Sequence, residues 1–102
     1  MVFKEFEHKI NKDDKIKVRF YLEFNGQAMQ ITDINIHAPI NCGLPSHPQL
    51  RQYNGETVFY VENDTDTNGK IKGTGEYIIN ELVRSLIASI YKIADENKPA
   101  FF

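Results

Sequence analysis

The sequence predicts an α+β domain, a small antiparallel sheet of three to five strands packed against one long C-terminal helix. Three observations predict it. Residues 15–24 alternate apolar and polar side chains, Asn25-Gly26 follows as a turn signal, and residues 75–97 repeat apolar positions at helical spacing. The 102 residues fit one domain. Strands fall within 1–38 and 56–72, a Pro/Gly-rich loop at 39–55, the helix over about 75–97 and a short apolar tail at 98–102.

The N-terminal segment has two readings. Val2, Phe6 and Ile10 fit a helical stripe, and they also lie on one side of a strand. As a strand turning through 11–15, the segment would set Phe6 opposite Phe20, Ile10 opposite Ile16 and Glu7 opposite Arg19. That register agrees with the strand that follows, so a strand is expected. In that next strand Ile16, Val18, Phe20, Leu22 and Phe24 share one face, and Lys15, Lys17, Arg19, Tyr21 and Glu23 share the other.

Asn25-Gly26 suits a two-residue type I′ turn, which sets Leu22 opposite Met29 and Phe20 opposite Ile31. Continued unbroken, this pairing would turn Asp33 and Asn35 inward and Ile34 and Ile36 outward. One extra residue near Thr32-Asp33 restores the isoleucines to the core, so a β-bulge is expected there. A covered outer face is the alternative. Thr57–Val61 is rich in β-branched and aromatic residues and reads as a further strand, with Lys70–Lys72 a continuation.

At 100° per residue, Ile78, Leu82, Ile93, Leu86, Ile79, Ile90, Val83, Ala94 and Ile87 sweep, in that order, an apolar arc of roughly 180°. A helix on one sheet needs roughly 100° of such surface. The surplus implies a second contact, from a partner copy or from another segment of this chain. Asn97-Lys98-Pro99 ends the helix, because proline disfavours helical backbone in the residue before it. Thr74 is a candidate N-cap.

Twelve Lys and Arg against fourteen Asp and Glu give a net charge of −2, which excludes a strongly basic nucleic-acid coat. With 41% hydrophobic and 25% charged residues, the chain is not a disordered tail. One cysteine cannot form an internal disulfide. No apolar run reaches the ~18 residues of a membrane span, and the start lacks the apolar stretch of a signal peptide. A reduced, cytoplasmic setting is the expectation.

Four groups of residues invite a chemical reading. Asp64-Thr65-Asp66-Thr67-Asn68-Gly69-Lys70-Ile71 resembles the first eight positions of an EF-hand calcium loop. The resemblance implies side-chain ligation by Asp64, Asp66 and Asn68 and carbonyl ligation by Lys70. Its twelfth position is Gly75, with Glu76 one residue late, and a solvated turn accounts for the same composition. The run Gly69–Glu76 leads glycine-rich into a helix start, where Lys70, Lys72 and free N–H groups suit an anion, but its spacing matches no phosphate loop. His37, Cys42 and His47 flank the proline-rich loop and offer a metal or thiol–base set, but their spacing matches no regular site, and surface histidines with a small buried cysteine are the commoner case. Lys15, Lys17, Arg19 and Tyr21 form a basic-aromatic stripe suited to single-stranded nucleic acid. Residues 1–24 carry only a net +1, however, and an exposed strand face holds such residues by default.

No constellation of convergent titratable groups calls for catalysis. The expectation is a small non-enzymatic interaction protein of inhibitor or adaptor type. It would need no cofactor, calcium being the one candidate, and would bind another protein, a second copy of the chain included. Ile87, Tyr91, Phe101 and Phe102 are the candidate contact residues, on the surplus helix arc and the apolar tail. Residues 56–82, net −4, suit a basic partner or serve only to keep the chain soluble. Nucleic-acid binding and a small metal-dependent or cysteine enzyme are the alternatives.

Overall fold

A computed structural model describes residues 1–62 and 75–98. The alternating stretch forms β2 (Lys15–Phe24), flanked in one antiparallel sheet by β1 (Val2–Lys9) and β3 (Met29–His37). A second antiparallel sheet follows the order β4 (Gln49–Tyr53), β5 (Glu56–Val61), β6 (Glu76–Ile78), and α1 (Glu81–Glu96) closes the described chain. The α+β class therefore holds, with the strands divided between two small sheets. β4 emerges inside the segment expected to be loop, after a 3-10 turn at Ile40–Cys42.

Registers in the first sheet differ from expectation by whole periods. β1 is a strand, but Phe6 faces Val18, Glu5 faces Arg19 and Glu7 faces Lys17. The cause is a turn displaced by one residue toward the N-terminus, spanning 10–14 between Lys9 and Lys15. Asn11 Oδ1 accepts hydrogen bonds from the N–H groups of Asp13 and Asp14, both at 2.9 Å, and Ile10 N–H donates to Asp14 O at 3.0 Å. Ile10 thus leaves the ladder. Between β2 and β3 the connection is Asn25–Ala28, four residues, so Phe24 faces Met29 and Leu22 faces Ile31. Asn25 Oδ1 accepts from Gln27 and Ala28 N–H at 2.9 Å, holding the wider loop. A type I′ turn needs positive φ at both central residues. That geometry occurs at Asn54-Gly55, with φ of 51° and 80°, where Tyr53 faces Glu56.

The bulge lies where the apolar pattern changes parity. Arg19 faces Asn35 and Tyr21 faces Thr32, so Asp33 and Ile34 together oppose Phe20. Asp33 takes a left-handed φ of 53°. Ile34 and Ile36 are buried as a result, alongside Ile16, Val18, Phe20 and Leu22 of β2.

The helix begins later than its apolar period implies. Residues 76–78 pair with β5, setting Ile78 opposite Phe59 and Tyr77 opposite Tyr60. Asn80 is the N-cap, its Oδ1 accepting from Val83 N–H at 2.9 Å, and Glu81 complements the helix dipole. Thr74 lies outside the described residues. At the other end Asn97 Nδ2 donates to Ile93 O at 2.7 Å.

Helix α1 packs against β5 and β3. Val83, Leu86, Ile87, Ile90 and Ala94 enter the core with Phe59, and Ile78, Ile79, Leu82 and Ile93 pack around it. The broad apolar arc is thus covered within the chain by two sheets. Ile87, expected at a partner contact, is only 6% exposed.

Phe20 is fully buried at the centre of this core, opposite the bulge. Phe20→Ala is expected to lower unfolding stability by about 3–5 kcal/mol, through lost transfer energy and a residual cavity. Urea unfolding followed by circular dichroism measures it; a loss below about 1 kcal/mol would contradict this account of the core.

Candidate functional site

Directly opposed residues in an antiparallel pair share a face. In the second sheet Leu50, Phe59 and Ile78 face the core. The other face carries Arg51, Tyr53, Val58, Tyr60 and Tyr77. Tyr53 on β4 and Tyr77 on β6 belong to opposite flanks of β5, yet their rings stack at 4.6 Å with a 21° interplanar angle. Tyr60 completes the cluster, 5.0 Å from the Tyr77 ring and tilted by 51°. Val58, on the same face of the central strand, is 1% exposed although it lies outside the main core.

Arg51 belongs to this cluster. Its guanidinium lies 4.7 Å from the Tyr60 ring centroid, and Nη2 donates to Gln49 Oε1 at 3.1 Å. Among the described residues it has no ion-pair partner, unlike the chain's other two arginines. At Gly75 an added Cβ would collide with the Tyr60 ring, so glycine lets the backbone pass close to the cluster.

Glu56 opposes Tyr53 and is drawn to the helix instead. Arg84 Nε and Nη2 donate to its two carboxylate oxygens at 2.7 and 3.5 Å. The hydrogen bond from Arg84 holds the Glu56 carboxyl below the usual glutamate range, its positive charge assisting and partial desolvation opposing. The same bond raises the Arg84 guanidinium above its ordinary value.

The basic stripe is paired across the first sheet, with two carboxylates answering its three cations. Lys15 pairs with Glu7 at 3.3 Å, Lys17 with Glu5 at 3.7 Å and Arg19 with Glu5 at 2.8 Å, while Tyr21 meets Phe3 edge-on at 5.5 Å. Such exposed pairs add little stability, but they weaken the positive field a phosphate backbone would need. Tyr91 remains on the surface at 40% exposure. Phe101, Phe102, Asp64, Asp66, Asn68, Lys70 and Lys72 lie outside the described residues, and Glu76 stands in β6 opposite Val61.

His37, Cys42 and His47 do not assemble a metal site: among the described residues no three His, Cys, Asp or Glu converge. A cleft of about 670 Å³ includes Tyr21, Asp33, Asn35, His47 and Gln49 in its lining. No described helix is long and apolar enough to cross a membrane.

No family model matches the chain, and no curated protein or solved structure is significantly similar to it.

Sequence reasoning missed Arg51, Tyr53, Tyr60 and Tyr77. The signal was present as two alternating pairs, Arg51-x-Tyr53 and Val58-x-Tyr60, around Asn54-Gly55. Read as a hairpin, those pairs fall on one face.

The Glu56–Arg84 pair gives a pH dependence with a defined sign. A carboxyl whose folded pKa is depressed stabilises the fold above its unfolded pKa, and that contribution fades as pH falls through the folded value. Glu56 should titrate below an ordinary glutamate by carboxyl NMR, and Arg84→Gln should return it to the usual range. An unchanged titration in the variant would remove Arg84 as the cause.

Proposed function

We propose that this protein is a non-enzymatic interaction module, of inhibitor or adaptor type, that binds another protein through the outer face of its second sheet. One observation carries the reading: Tyr53 and Tyr77 are 45% and 44% exposed yet already stacked, with Tyr60 and Arg51 alongside. Tyrosine and arginine are enriched at the energetic centres of protein interfaces. Rings that support one another before binding lose little rotamer freedom on contact, so more of the burial energy is realised as affinity.

Competing readings have less support. Nucleic-acid binding through Lys15, Lys17 and Arg19 must overcome their pairing with Glu5 and Glu7 and a net charge of −2. Association through the helix face must do without Ile87, which packs in the core, leaving Tyr91 as the exposed helix residue of the original set.

A paired substitution tests the reading. Tyr53→Ser with Tyr77→Ser should weaken binding to the partner captured from the native host about thirtyfold or more, as loss of an interface centre does. Tyr91→Ser should leave capture unchanged. Both variants should keep a cooperative thermal transition. Full capture by the double variant, or equal loss with Tyr91→Ser, would overturn the assignment to this face.

A further inference from the structure

We infer that the protein segment recognised by the second sheet's outer face presents an acidic side chain, whose carboxylate pairs with Arg51. The inference rests on the protein-binding reading of that same face and names the chemistry of its partner. The fold's other arginines show the alternative fate of such a group. Arg19 is engaged by Glu5 at 2.8 Å and Arg84 by Glu56 at 2.7 Å. Arg51 has no carboxylate partner among the described residues, although it belongs to a chain with net charge −2.

Its position is fixed without being neutralised. The Tyr60 ring lies under the guanidinium at 4.7 Å, and Gln49 Oε1 accepts one N–H at 3.1 Å. A guanidinium carries five N–H donors in a planar fork, so most of the fork is left for a ligand. A stacked guanidinium is also weakly hydrated and preorganised, which favours bidentate capture of a carboxylate. Glu56, the carboxylate nearest in register to this face, is held by Arg84 and does not quench the charge.

The size of the charge selects among anions. A nucleic acid brings a phosphate with every nucleotide, and phosphorylated motifs are met by clusters of arginines. Here one unpaired guanidinium stands among neutral tyrosines, which matches a single Asp or Glu flanked by apolar or aromatic groups.

A mixed library of terminally blocked heptapeptides, incubated with the full chain and recovered by affinity-selection mass spectrometry, supplies the probe. Retained peptides should be enriched in Asp and Glu. Replacing the acidic residue by its amide in a retained peptide should weaken binding about tenfold, the scale of one charge-assisted hydrogen-bonded contact. Arg51→Gln should erase the difference between acid and amide, Arg51→Lys should keep part of it, and Arg51→Glu should turn the selection toward Lys and Arg. Thermal melting of each variant confirms the fold. Peptides without acidic bias, lost in the Tyr53→Ser, Tyr77→Ser variant yet indifferent to Arg51→Gln, overturn the carboxylate while the face stands. Acidic peptides fully retained by the tyrosine variant overturn the face itself, and with it this inference. Recovery of no peptide at all overturns the carboxylate as a recognition element.

Discussion

The inward row of β2 is the constraint on which the rest depends. Ile16, Val18, Phe20 and Leu22 are all but fully buried, and a strand's two-residue period gives them no freedom to face elsewhere. Whatever pairs with β2 must keep its own apolar residues in phase with that row. In β3 the apolar positions run 29, 31, 34 and 36, so the phase breaks after Ile31. The chain absorbs the break at Asp33. A left-handed residue costs about 1–2 kcal/mol, less for aspartate, whereas exposing two isoleucines forfeits about 1.5–3 kcal/mol each. Burial wins.

The same reasoning explains a helix more apolar than one sheet requires. Helix α1 closes the first sheet along β3 and the second along β5, so its broad arc meets two surfaces. This use of α1 on one side leaves the second sheet's other face to its own side chains. Val58 is buried there although it lies outside the core cluster, and the tyrosines on that face come from all three strands. Tyr53 stacked on Tyr77, with Tyr60 tilted against Tyr77, gives that face a connected aromatic surface. The groups that stabilise this three-stranded sheet are therefore the same ones proposed for recognition.

Much of the fold was legible because parity and period are strong signals. The wet and dry faces of β2, the bulge at Asp33, β5 and most of α1 follow from them. Registers were not legible, since a slide of two residues leaves every side chain on its original face. Asn11 and Asn25 settled those slides with side-chain hydrogen bonds that the hydrophobic pattern does not record. Two Asn-Gly pairs also adopt different turns: Asn54 takes positive φ and Asn25 does not. Ile78 and Ile79 suit a helix by spacing and a strand by β-branching, and pairing with β5 decides for Ile78. The tyrosine cluster was hidden for another reason. Tyr60 and Tyr77 are separated by a long stretch of sequence, and only the β5–β6 pairing makes them neighbours.

Charge reads differently in sequence and in space. Lys15, Lys17 and Arg19 form the densest basic alternation in the chain, yet Glu5 and Glu7 stand across the ladder and answer them. Arg51 is a single cation in an otherwise unremarkable strand, and no such answer reaches it among the described residues. What a partner encounters is the residual field after pairing, not the inventory of basic residues. By that measure the first sheet presents a basic stripe largely paired with carboxylates, while the second presents one unpaired guanidinium framed by aromatic rings. The asymmetry follows from strand pairing: β1 brings carboxylates to β2, whereas β5 brings Arg51 a valine opposite and a tyrosine beneath its guanidinium.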